Sequence, residues 1–172
     1  MATMNSGLGG PAGYGENVFS STPKDAGDND DGSVEIDITS VFGAEGIEFF
    51  GTSYDSIYLN SNGNISFGGP QTAYSPDLAG TDTPTIAVFW SDVNINDGGE
   101  IYWDVDPDTG TVTFTWLDVE PYSGRGDNSF QLVLTSTGDG SFTTDFIYED
   151  IRWTNGGNGT AETGFSDGDG TV

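Results

Sequence analysis

Apolar residues in this chain recur at every second position or in short unbroken runs, and no window sustains a helical apolar period. Val34, Ile36 and Ile38 alternate with polar neighbours, which predicts a strand starting near Val34. A turn at Gly43–Gly46 then leads to an apolar cluster at Ile47, Phe49 and Phe50. Ser56-Ile57-Tyr58-Leu59 and Ile65-Ser66-Phe67 read as short strands flanking Asn60-Ser61-Asn62-Gly63-Asn64. Asn62-Gly63 fits the two positive-φ positions of a type I′ turn, because Gly lacks a Cβ and Asn tolerates the left-handed region. After a long irregular connection with three prolines, the run TIAVFW (Thr85–Trp90) predicts a strand buried on both faces.

The second half is punctuated as a meander. GEIYWDV and GTVTFTWLDV are separated by the turn DPDTG, and NSFQLVLTS and SFTTDFIYEDIRW by TGDG. Strand-plus-turn units of roughly 8–12 residues indicate an all-β antiparallel sandwich with long irregular loops and little or no helix. Residues 1–33 are set apart as a loosely held N-terminal arm followed by an acidic loop, and residues 34–172 as the β-domain. The closing segment from Thr154 reads as turn residues only, so a final apolar strand and a continuation past residue 172 are expected.

Composition narrows the chemistry. Asp and Glu number 28 against 3 basic residues (Lys24, Arg125, Arg152), for a formal net charge of −25. Such a surface repels nucleic acid and anionic lipid, and it repels itself unless salt or bound cations screen it. With neither cysteine nor histidine, disulfides, thiolate nucleophiles and Ser-His triads are excluded. The first twenty residues have neither a basic n-region nor an apolar h-region, and no run approaches the ~18 apolar residues of a bilayer span.

Calcium is the cation this oxygen-rich chain suits. DVDPDTG places Asp104, Asp106 and Asp108 at alternate positions, as in an EF-hand's first three ligands. Gly110 comes one residue late, however, and no Glu closes the loop. DAGDNDDG (with Asp28, Asp30 and Asp31) and SDVNIND (with Asp92 and Asp97) offer further oxygen clusters. Each reads equally well as a solvated acidic loop. Paired carboxylates could also serve a glycosidase, but 28 acidic residues make such pairs inevitable. The four Trp residues alternate within predicted strands and are expected in the core, not on a sugar platform. Arg125-Gly126-Asp127 and the sequons at Asn64 and Asn158 are read as ordinary turn chemistry.

FFGTSYDSIYLNSNGNISFG, PTIAVFWSDVN, GEIYW, NSFQLVLTSTGDGSFTTDFIYEDIRWTNG and AETGFSDGDG follow one another in an order that resembles the nidogen-like (NIDO) extracellular domain, over about residues 34–170. The resemblance implies a secreted, non-enzymatic module of a larger protein, of the bacterial type, concerned with adhesion or matrix architecture. Its implied partners are a protein or glycan surface or neighbouring domains, with no nucleic acid and no membrane insertion, and it brings no ligand site. Two alternatives stand beside it: a calcium-assisted carbohydrate-binding module, and an autoprocessing domain cleaving at Asp106-Pro107.

Overall fold

A computed structural model describes residues 2–172. Twelve strands run in order: β1 (Asn17–Val18), β2 (Ser33–Asp37), β3 (Ile47–Phe49), β4 (Thr52–Tyr54), β5 (Ser56–Asn60), β6 (Asn64–Ser66), β7 (Thr85–Trp90), β8 (Glu100–Asp106), β9 (Thr111–Val119), β10 (Asn128–Gly138), β11 (Ser141–Ile151) and β12 (Glu162–Ser166). One helical turn, α1 (Thr39–Phe42), follows β2. Two antiparallel sheets pack face to face, ordered β1-β8-β9-β10-β11 and β12-β7-β6-β5-β2, with β3-β4 as a separate hairpin. The expected all-β sandwich is the fold.

Alternation builds the interior. Ile57, Leu59, Ile65, Ile86 and Val88 from the second sheet meet Ile101, Val112, Phe114, Trp116, Phe130, Leu132 and Leu134 from the first. Trp116 stacks on Phe130 at 5.1 Å between centroids, and Phe89 packs on Phe130 at 5.3 Å. All four Trp are buried, as their alternation requires. β7 is buried along its whole length. Its outward residues Ala87 and Trp90 are covered by Leu78 from the irregular 67–84 connection, and Trp90 Nε1 donates to Ala73 O at 2.8 Å.

Three local expectations are corrected. Asn60 pairs with Asn64, leaving a three-residue loop in which Gly63 (φ 80°) has a positive φ and Asn62 does not, so the turn is not type I′. The two-residue loops with both φ positive are Phe50-Gly51 and Asp139-Gly140. Next, the closing segment does contain a strand: β12 pairs with β7 through a bulge at Glu162–Gly164, and Phe165 stacks on Phe146 of β11. Its single aromatic among Gly and Thr hid it from the pattern. Finally, the segment 2–33 is not loosely held. β1 pairs with β8, Phe19 is fully buried, and Met4 lies under cover on the outer face of the first sheet.

Candidate metal centre

Five loops converge at one end of the sandwich, and the turn Ser61-Asn62-Gly63 lies at their centre, wholly buried. Gly63 O accepts from Val88 N (3.1 Å) and Phe89 N (2.9 Å), pressing the turn against the end of β7. A Cβ at Gly63 would sit 2.0 Å from Phe89 O, so only glycine allows that approach. Trp116 Nε1 donates to Ser61 O from the core side at 3.1 Å.

This polar turn organises the acidic loops around it. Ser61 Oγ accepts from Gly32 N at 2.9 Å and donates to Asp30 O, fixing the 25–32 loop. Asn62 Nδ2 donates to Asp31 Oδ1 at 2.8 Å, while Asn62 Oδ1 accepts from Val93 N at 2.9 Å. One buried amide therefore ties the loop bearing Asp30 and Asp31 to the loop bearing Asp92. Gly156 is seated against Asp92, where a Cβ would meet its backbone N at 2.7 Å, and this places Asn158 over the site. Asn158 Nδ2 donates to Asp92 Oδ2 at 2.6 Å.

Asp30, Asp31 and Asp92 each bring a carboxylate oxygen within 4.8 Å of the other two. Among the described residues no other group of three acidic side chains is so close. Asp92 is only 4% exposed, and Asp30 Oδ1 is buried with no hydrogen-bond partner. Burial, then the charges of Asp31, Asp92, Asp28 and Asp97, raise the Asp30 carboxyl to about 6. Burial also raises Asp92, against the lowering effect of its Asn158 bond. Among the described residues no basic side chain neutralises the cluster: Lys24 Nζ donates to Phe19 O and Thr22 O, and Arg152 bridges Asp127 and Asp150. Oxygens on opposite sides of a Ca²⁺ ion stand about 4.6–5.2 Å apart, so the all-oxygen set and its spacing fit that ion.

The other acidic positions named from sequence stay outside this group of three. Asp28 Oδ1 accepts from Asp30 N at 2.8 Å, and Asp97 Oδ2 accepts from Asn94 Nδ2 at 3.1 Å, both within their own loops. Asp106 Oδ1 accepts from Asp108 N (2.9 Å) and Thr109 N (3.3 Å), as an ordinary Asx turn does. The Thr109 hydroxyl, and then those backbone N–H groups, hold the Asp106 carboxyl below its usual range, whereas burial raises Asp104 and no third carboxylate joins the pair. Asp127 of the Arg-Gly-Asp triplet is engaged by Arg152 at 3.0 Å, and Asn64 of the first sequon is fully buried. Sequence reasoning missed Asn62 and Asn158. Asn62 carried a signal, a polar turn between apolar strands, but turn chemistry explained it fully.

A cleft of about 300 Å³ opens over the cluster, with Tyr74 and Tyr122 at its sides, 49% and 58% exposed.

In comparisons with known proteins, the family model described as NIDO related matches residues 16–172. Dendrite extension defective protein 1 of Caenorhabditis elegans is 28% identical over 151 residues, covering 73% of this chain and 13% of that protein. Alpha-tectorin of Mus musculus is 35% identical over 136 residues, covering 63% of this chain and 6% of that protein. Human alpha-tectorin is 33% identical over the same length. The chain thus spans 6–13% of the length of these relatives. They are animal proteins, which give the expected bacterial type no support. No solved structure matches significantly.

Proposed function

The chain belongs to the NIDO-related family and is an extracellular module, and from that premise we propose that it is a non-catalytic structural and adhesive unit of a larger secreted protein, its loop end locked by calcium. The observation that carries the calcium assignment is Asp30 Oδ1, a buried carboxylate oxygen without a partner, beside two further carboxylates and, among the described residues, with no basic side chain paired to them. A buried charge left unpaired is costly, and a divalent cation removes both the orphaned acceptor and the mutual repulsion. Asp30, Asp31 and Asp92 are the ligands, with Asn158 at the rim. The ion cross-links the 25–32 and 91–97 loops and performs no chemistry. Neighbouring domains or a protein or glycan surface are the partners of such a unit. Among the described residues no helix is long and apolar enough to cross a membrane.

Thermal unfolding in millimolar calcium against chelator tests this. Calcium at about 100 times its Kd adds about 2.7 kcal/mol, which for a domain of this size raises the midpoint by roughly 5–10 °C. Asp31→Asn removes the shift, whereas Asp106→Asn leaves it intact. An unchanged midpoint in the parent chain rejects the calcium role.

Tyr74 and Tyr122 favour a second reading, carbohydrate binding, since both rings stand exposed beside the same cleft. Burial of all four Trp weighs against it. Calcium-dependent glycan capture that is lost in Tyr122→Ala would establish it. Autoprocessing at Asp106-Pro107 finds less support, because the Asp106 carboxylate is already held by two backbone N–H groups. Fragments at that bond after incubation with calcium would restore it.

A further inference from the structure

Residues 1–15 contain no charged side chain, in a chain carrying 28 acidic and 3 basic residues. They also lie outside the family match, which begins at residue 16. This neutral arm crosses the outer face of the first sheet, where Tyr102, Thr113, Thr115, Gln131 and Val133 are all buried. Gln131 reads the arm as a strand would read its neighbour. Asn5 N donates to Gln131 Oε1 at 2.8 Å, and Gln131 Nε2 donates to Asn5 O at 3.0 Å. The Gln131 amide is itself fully buried and fixed by Thr115 Oγ1 at 2.8 Å. Met4 is 3% exposed, and its N–H donates to Glu149 Oε2 at 2.6 Å. Both bonds to Gln131 are to backbone, so the face recognises an extended peptide more than a particular side chain.

The link between arm and body is rich in glycine. Residues 7–15 include five glycines, each with positive φ, and the loop is closed by Leu8 N to Gly13 O (3.0 Å) and Gly15 N to Gly9 O (3.1 Å). Gly15 is the anchor, since a Cβ there would meet Trp103 O at 2.2 Å. Extended, the ten residue-to-residue steps from Ser6 to Glu16 reach at most about 35 Å, well beyond the ~10 Å between packed sheets. An uncharged segment is also the part of a −25 chain that approaches another copy with least repulsion.

We propose that this outer face is a peptide-docking surface whose occupant between molecules is the arm of a second copy, so that copies join by arm exchange. Each copy then offers one arm and one face, the condition for a closed pair or a head-to-tail chain. The inference rests on the structural-module reading but not on its calcium site.

Because the chain has no cysteine, single thiols can be placed at will. Thr3 and Thr109 are exposed and lie along the same groove. Thr3→Cys and Thr109→Cys chains are mixed across a concentration series and joined with a short bis-maleimide. Salt of about 0.5 M shrinks the Debye length below ~5 Å and screens the repulsion between copies. The expected result is a covalent dimer that grows with concentration and falls about tenfold when both chains also carry Gln131→Leu, the mutation removing both backbone bonds. Should Gln131→Leu misfold, Met4→Asp expels the arm without altering the sheet. A mixture of Thr3→Cys with Asp82→Cys, exposed in the connection that covers the second sheet, sets the random background. The proposal is overturned if the double variant Thr3→Cys/Thr109→Cys cross-links within one chain while the mixture never exceeds that background. It is equally overturned if the double variant fails to cross-link at all. Dimers without any calcium shift would reject the calcium site and leave arm exchange standing.

Discussion

Two hairpins in this chain use the same turn chemistry and end in opposite circumstances. Asn60–Asn64 and Asp106–Thr111 each join antiparallel strands through Asx residues and a glycine with positive φ, Gly63 at 80° and Gly110 at 70°. The first turn is wholly buried and holds two acidic loops together; the second stands in solvent and holds only itself. Local sequence offered the second as one cation loop among three, because its Asp residues alternate. Alternation within one segment satisfies the segment's own backbone, however, whereas a cation needs carboxylates held together against repulsion. That requires separate loops pinned to a common rigid base.

One substitution made in both hairpins separates them most sharply. Gly110→Ala costs about 1–2 kcal/mol, the penalty of a Cβ in the left-handed region, since nothing lies within 4 Å of it. Gly63→Ala carries that penalty and also drives a methyl into Phe89 O, breaking the two bonds from Val88 and Phe89. A loss of about 4 kcal/mol or more is expected, enough to unfold much of a marginally stable domain. Denaturant midpoints of the two variants measure the difference, and equal losses would contradict the packing described for Gly63.

Removing the side-chain hydrogen bonds of one residue in each turn gives a smaller contrast. Asn62→Ala strands Val93 N and deprives Asp31 of its donor inside the protein, costing about 2–4 kcal/mol and abolishing the calcium response. Asp106→Ala also frees two N–H groups, but water replaces their partner, so the denaturation midpoint falls far less than in Asn62→Ala and the calcium response stays unchanged.

The same contrast explains what was legible beforehand. The strands from β5 to β11 and the buried Trp residues were readable because alternation and turn residues are local properties. Asp30, Asp31 and Asp92 stood among the candidates, yet nothing local joins residues 30 and 31 to residue 92. Their meeting depends on Asn62, and on Gly156 letting a distant loop close over Asp92. The arm was misread for a related reason: Met4 and Asn5 are ordered by Glu149 and Gln131, more than a hundred residues away. Long-range polar contacts of this kind leave no periodicity.

Acidification gives the finest test, because the two turns respond with opposite sign. Asp30 ionises near 6 in the folded chain against 3.8 for an ordinary Asp. Between those values the folded state binds more protons than the unfolded state, so stability falls as pH rises through that window. Without a cation, the unfolding midpoint therefore climbs as pH drops from 7 towards 5, with Asp92 contributing in the same direction. Asp106, held low by its turn bonds, stabilises above 3.8 and loses that contribution only as pH falls further. The cation-free profile is thus expected to rise and then turn over, and Asp30→Asn should flatten its upper part alone. With calcium present the upper part inverts, because the ion needs Asp30 ionised and competes with its proton. The calcium-induced shift then shrinks as pH falls through about 6. A calcium shift constant from pH 7 to 5 would place the ion away from Asp30, and a cation-free profile flat over that range would mean the Asp30 carboxylate is not strained by burial and its neighbours.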